Sequence, residues 1–212
     1  MSGIMRLAVD VFSEWADIGK DEGMERGHTP AVQEILDAAF DAMSSESIER
    51  GFSAIDAGCG NGWVVRSLKN NPSCSLAMGV DGAKSMILRA LEKDPQGLYF
   101  HADLSSWTPP ERVDLVHSME VLYYLDNIPK FLEMVRREWL VEGGILAFGV
   151  DHYSENKESL EWPEKVGVRM STHSEIEWEK MILDADFTIL KSFRATADDN
   201  WAGTLSFIAQ RN

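Results

Sequence analysis

Cysteine is nearly absent from this chain: Cys59 and Cys74 are the only two in 212 residues. With no Cys-x-x-Cys and no Cys/His cluster, neither a disulfide framework nor a structural zinc site is expected, and no metal ligand set stands out. Basic residues are also few. Twenty Lys and Arg against 35 Asp and Glu leave a net charge of −15, a surface that repels a phosphate backbone and favours a cationic or neutral ligand, so nucleic acid is not an expected partner. Apolar runs are short, none approaching the roughly 18 to 20 residues that cross a bilayer. Arg6, Asp10 and Glu14 break up the first 15 residues, which therefore lack the unbroken core of a secretory signal. These absences together set the expectation of a cytoplasmic protein without a membrane partner.

What is present is ordinary globular composition, 44% hydrophobic and 26% charged, at a length that suits one domain. After about residue 50, short apolar runs rich in β-branched residues alternate with amphipathic stretches, the pattern of βαβ units and a parallel sheet. Strands are expected at 52–56, 75–81, 97–102, 113–117, 144–150, 187–193 and 204–210. Helices are expected at 62–70, 83–92, 120–125, 128–140 and 174–184. The last two strands have only a polar loop between them, no room for a crossover helix, and should pair antiparallel. The expected fold is therefore α/β: a doubly wound, Rossmann-like sheet of seven mostly parallel strands with an antiparallel last strand, preceded by N-terminal helices. Those helices are expected at 4–17 and 30–43, the second capped by Thr29 with Pro30 in its first turn, and joined by a polar segment, 19–29. Within a single domain, residues 1–50 read as a helical cap or lid, 51–150 as the half around a glycine-rich turn, and 151–212 as a long loop with the C-terminal hairpin.

The stretch Ile55-Asp56-Ala57-Gly58-Cys59-Gly60-Asn61-Gly62 ends an apolar strand and opens a helix, where a doubly wound sheet binds its ligand. Its glycines let the backbone turn tightly and approach a ligand without Cβ obstruction. A dinucleotide site needs Gly-x-Gly-x-x-Gly, and Trp63 stands at the position of the last glycine. Asp81, in Val80-Asp81-Gly82 at the end of the second strand, is placed to accept ribose hydroxyls. Asp103, in Ala102-Asp103-Leu104 after the third, could grip an adenine edge. With Asp56, three acids and no Lys or Arg surround the loop: a poor phosphate cradle, and a sensible pocket for a cationic nucleoside. Asp114 reads as a cap or turn ahead of the fourth strand.

These motifs, in this order, resemble the class I S-adenosylmethionine-dependent methyltransferases over about residues 51–210. The run Val113 to Leu122 is similar to that family's fourth strand and following turn, and Leu140-Val141-Glu142-Gly143-Gly144 to the turn before its fifth, with Glu142 where a proline is usual. The resemblance implies S-adenosylmethionine as cofactor, S-adenosylhomocysteine as product, and cofactor contacts from Asp56, Gly58, Cys59, Gly60, Gly62, Asp81, Gly82, Asp103, Leu104, Ser118, Met119 and Glu120. No Asn-Pro-Pro-Tyr or Asp-Pro-Pro-Tyr follows the fourth strand, and His117-Ser118-Met119-Glu120 looks more like the small-molecule enzymes of the family.

Substrate is expected over the carboxyl ends of the strands. There His152 is the candidate general base, because an imidazole titrates near neutrality, and Tyr123 a second catalytic candidate. Trp15, His28, Tyr124, Asp151 and Tyr153 are expected around the substrate or in a lid. The expected reaction is methyl transfer to a small molecule, the alternatives being a protein side chain as acceptor or a non-catalytic S-adenosylmethionine-binding module.

Overall fold

The computed structural model describes residues 5–212. Three helices come first: α1 (Ala8–Asp17), α2 (Asp21–Ala42) and α3 (Ser45–Arg50). Then follow β1 (Phe52–Ala57), α4 (Trp63–Lys69), β2 (Cys74–Asp81), α5 (Lys84–Lys93), β3 (Leu98–His101), β4 (Val113–Met119), α6 (Ile128–Met134), β5 (Leu140–Val150), α7 (Trp162–Val166), α8 (Glu175–Asp184), β6 (Phe187–Ala195) and β7 (Thr204–Arg211). They form one seven-stranded sheet in the order β3-β2-β1-β4-β5-β7-β6, parallel except that β7 runs against both of its neighbours. All seven expected strands are present, with ends shifted by a few residues at most.

Side-chain alternation divides the core between two layers. Ala54, Leu115 and Ala147 face Val32, Ile35 and Leu36 of α2 and Val64, Val65 and Leu68 of α4. Val116, Leu146 and Phe148 face Phe131, Leu132, Trp139, Trp178 and Ile182 on the other side. Ser174 starts α8 through a reciprocal bond with Glu177, and Asn127 accepts from the Lys130 N–H at the start of α6. Asp114 is not a turn residue. It lies inside β4, accepting from the Ser53 N–H (2.9 Å) and the Arg50 guanidinium (2.6 Å), so it ties α3 to the sheet.

The N-terminus departs from expectation. Ile4, the first residue of the expected opening helix, lies outside the described residues, and α1 begins at Ala8. Pro30 does not open the second helix: it sits within α2, and Thr29, instead of capping, donates its hydroxyl to the Glu25 carbonyl (2.6 Å). Most of the supposed polar connector is therefore helix. Proline removes one backbone bond there, yet tertiary contacts on both sides outweigh that loss.

Candidate active site

The switch point of this sheet lies between β1 and β4, where the strand order reverses, and the crevice there is the expected ligand position. It is occupied by a cavity of about 910 Å³. Gly58, Cys59 and Gly60 form one wall. Gly58 has φ 79°, and a Cβ on it would overlap Val121, so only glycine fits. Gly60 donates its N–H to Asp81 Oδ2 (2.9 Å) while Ala83 donates to Oδ1 (2.7 Å), so Asp81 braces the loop as well as facing the cavity. Burial pushes the Asp81 carboxyl up, opposed by these two N–H groups. Asp56 lines the cavity with Oδ1 against His117 Nδ1 (2.7 Å). Gly82, Asp103, Leu104, Met119 and Glu120 line it too.

Two expected cofactor residues do not. Gly62 (φ 77°) serves the turn into α4 beneath Tyr99. Ser118 is buried and donates to the Ala57 carbonyl (2.8 Å), locking β4 to β1.

On the substrate side the corrections are larger. His152 is fully buried, Nδ1 against the Ser159 carbonyl (2.9 Å) and Nε2 against Thr172 Oγ1 (2.7 Å), so neither nitrogen is free to take a proton from a substrate. Tyr153 donates to the Gly203 carbonyl (2.9 Å) with Arg194 stacked on its ring, and is likewise structural. Trp15, His28, Tyr123 and Tyr124 do line the cavity. Asp151 stands just behind it. His28, Glu120 and Asp151 each offer one ligand-type atom, all within 4.8 Å of one another.

That cluster comes from three elements. Glu120 follows β4 with a left-handed φ of 59°, a strained conformation for a side chain of its size. It accepts from Tyr123 Oη (2.6 Å) and from the Asp151 N–H. Burial, and then the nearby Asp151 charge, hold the Glu120 carboxyl well above the usual range; burial likewise raises Asp151 and lowers His28. A carboxyl raised on folding gives stability that is complete below its unfolded value, about 4.3, and is lost as pH rises through the folded value. Glu120→Gln retains groups for both hydrogen bonds and removes that loss. Its ligand-free form should therefore melt above wild type at pH 8, by roughly 2–4 °C for each kcal/mol relieved. The gap should close near pH 4, and scanning calorimetry that finds no gap at any pH would contradict the assignment.

The sequence reading missed the polar face of α2. Asp21, Glu25 and His28, spaced by four and three residues, share one side of the helix and line the cavity. Asn61 Nδ2 donates to Asp21 Oδ2 (2.9 Å) and Glu25 Oε2 (3.1 Å), latching the glycine loop to the helix. The spacing carried this signal, but only for a segment taken to be helical. Val9, Phe12, Met86, Trp162 and Met170 complete the apolar wall.

Comparison with known proteins decides the family. A family model described as a methyltransferase domain matches residues 25–192. The chain belongs to that family. Its sheet, glycine loop and strand-end acids are those of a class I S-adenosylmethionine-dependent methyltransferase. A trans-aconitate 2-methyltransferase of Agrobacterium fabrum is 27% identical over 109 residues, 51% of this chain and 42% of that protein. The match thus spans less than half the length of that curated relative. A chain from the complex of the Haloferax volcanii Trm112 methyltransferase activator with a methyltransferase superposes with a TM-score of 0.81 at 25% identity, covering 94% of this chain and 97% of that one. N-methyltransferase NodS of Bradyrhizobium japonicum WM9, solved with S-adenosylhomocysteine, shares the fold: TM-score 0.60, 18% identity, 84% of each chain. Among the described residues of this methyltransferase-domain chain, no helix is long and apolar enough to cross a membrane.

Proposed function

We propose that this chain transfers the methyl group of S-adenosylmethionine to a small molecule. The observation that carries the reading is the continuity of one cavity from Gly58, Gly60 and Asp81 to Glu120, Tyr123 and Tyr124, roofed by α1 and the first half of α2. A roofed cavity favours a small acceptor over a protein side chain. The name of the Agrobacterium relative supports the same class. Among the described residues no helix is able to cross a membrane, and cysteine is scarce; both favour work in the cytoplasm.

In this reading Asp81 and the glycine loop hold the nucleoside, Asp56 and Asp103 flank it, and Leu104 packs beside it. The cofactor supplies an electrophilic methyl on a positively charged sulfur. The protein's part is positioning: an acceptor held at near-attack distance gains much of the acceleration, and α1 with residues 21–28 of α2 keeps water out as a cap. S-adenosylmethionine and S-adenosylhomocysteine, each at a hundredfold excess over Kd, should stabilise the protein by about 2.7 kcal/mol. For this length that is a melting shift of roughly 5–10 °C. A shift with a nicotinamide dinucleotide and with neither of these ligands would overturn the reading.

A further inference from the structure

The cavity's charge is one-sided. Seven carboxylates line it and, among the described lining residues, no Lys or Arg does. One acid is short of a partner: Asp151, 6% exposed, has a buried Oδ1 with none, whereas the Asp21 Oδ1 has the Arg89 guanidinium at 4.0 Å. Asp151 stands behind Glu120 and His28, which line the cavity, with their polar atoms all within 4.8 Å of one another past the ends of β4 and β5. An aromatic run leads to them, Trp15 to Phe12 (5.3 Å between ring centres), Phe12 to Tyr124 (5.2 Å) and Tyr124 to Tyr123 (4.5 Å). A buried acceptor without a donor, close to aromatic faces, suits a positively charged nitrogen. A carboxylate there would meet like charge with no counter-ion, which rejects it strongly.

Resting on the methyl-transfer reading, we infer that the acceptor is an amine, held as its ammonium ion by Glu120 with the Asp151 carboxylate behind it and deprotonated by His28, and that polycarboxylates are excluded. Burial keeps the His28 imidazole neutral and able to accept a proton, and Asp151 beside it favours the imidazolium that results. One N–H proton passes to His28. The nitrogen lone pair then forms the bond to the methyl carbon as the carbon–sulfur bond breaks, its electron pair staying on sulfur, so an N-methylammonium and neutral S-adenosylhomocysteine leave and His28 returns the proton to solvent. This acceptor differs in charge from the one in the Agrobacterium relative's name.

The test is isothermal titration of the whole chain, saturated with S-adenosylhomocysteine, against aliphatic and aryl-alkyl primary amines. Their carboxylate and alcohol isosteres and trans-aconitate are titrated alongside; 2-phenylethylamine, 3-phenylpropionate and 3-phenylpropanol make one such set. Amines should bind at least about a hundredfold more tightly than the matched acids. Glu120→Gln should weaken the amine about tenfold or more, and by clearly more than it weakens the alcohol or S-adenosylhomocysteine, a selectivity that a merely structural role for Glu120 would not give. Acids binding as well as amines, or no amine binding while S-adenosylhomocysteine binds, overturns the inference alone. So does amine binding that needs Mn²⁺ and disappears with EDTA. Failure of S-adenosylhomocysteine to bind overturns the methyl-transfer reading with it.

Discussion

Asp81→Ala should lower affinity for S-adenosylhomocysteine about ten- to a thousandfold while the protein remains folded. Each charge-assisted bond to a ribose hydroxyl contributes about 1.5–3 kcal/mol, and the substitution also removes the acceptor that holds the Gly60 N–H. The glycine loop is then free to leave the conformation in which it approaches the ligand, so the loss should sit at the upper end of that range. Asp81→Asn should be milder: an amide oxygen still accepts one of the two backbone N–H bonds, without the charge. Circular dichroism reports the fold and calorimetry the affinity. Unchanged affinity in a folded Asp81→Ala variant would place the ribose elsewhere.

Removal of residues 1–29 should weaken S-adenosylhomocysteine binding about tenfold or more, at least 1.4 kcal/mol, with only a modest fall in the ligand-free melting temperature. From Ala31 onward α2 belongs to the sheet's core, with Val32, Ile35 and Leu36 buried against it, whereas α1 and the start of α2 pack in a small separate cluster of Ala16, Ala83 and Met86 with Phe12 and Met24. The cut leaves Pro30 at a helix start, where its missing N–H costs nothing. Pro30 also marks where α2 can bend in the intact chain, because the bond it would donate is absent. Residues 15–28 should accordingly exchange amide hydrogens faster in the free protein than in the complex, slowing together with Gly58 to Gly62 when S-adenosylhomocysteine is added. Exchange that is slow from the outset and indifferent to ligand, with a truncated protein that melts far earlier, would make the segment a permanent part of the core.

The contrast between α2 and the sheet shows which features a single sequence carries. Each strand announces itself through a short β-branched run bounded by turn residues, and the central ones, buried on both faces, leave little alternative. The glycine loop was equally legible, since its glycines follow one apolar strand directly and Asp81 ends the next, a pattern visible along the chain even though Val121 and Gly60, which fix their places, are distant. The start of α2 was not. Local rules place Pro30 at a helix N-terminus, but Asp21 and Glu25 bonding to Asn61, 36 to 40 residues away, hold a further turn and more of helix ahead of it, and no local pattern records that contact. His152 misled for a related reason. Its ordinary pKa recommended it as a base, while its partners Ser159 and Thr172 lie on a loop whose path only the tertiary fold determines. His28, which does face the cavity, reads from sequence as a substrate or lid residue and no more, because Glu120 and Asp151, which stand beside it, are far away along the chain.

Incubation of the protein with S-adenosylmethionine carrying a labelled methyl group and an extract of small metabolites, followed by mass-resolved analysis of the filtrate, addresses the account most directly. A metabolite should gain one labelled methyl in step with formation of S-adenosylhomocysteine, and the gain should fall sharply with Asp81→Ala. Label entering only polypeptide, or no transfer from a protein that binds S-adenosylmethionine, would contradict it.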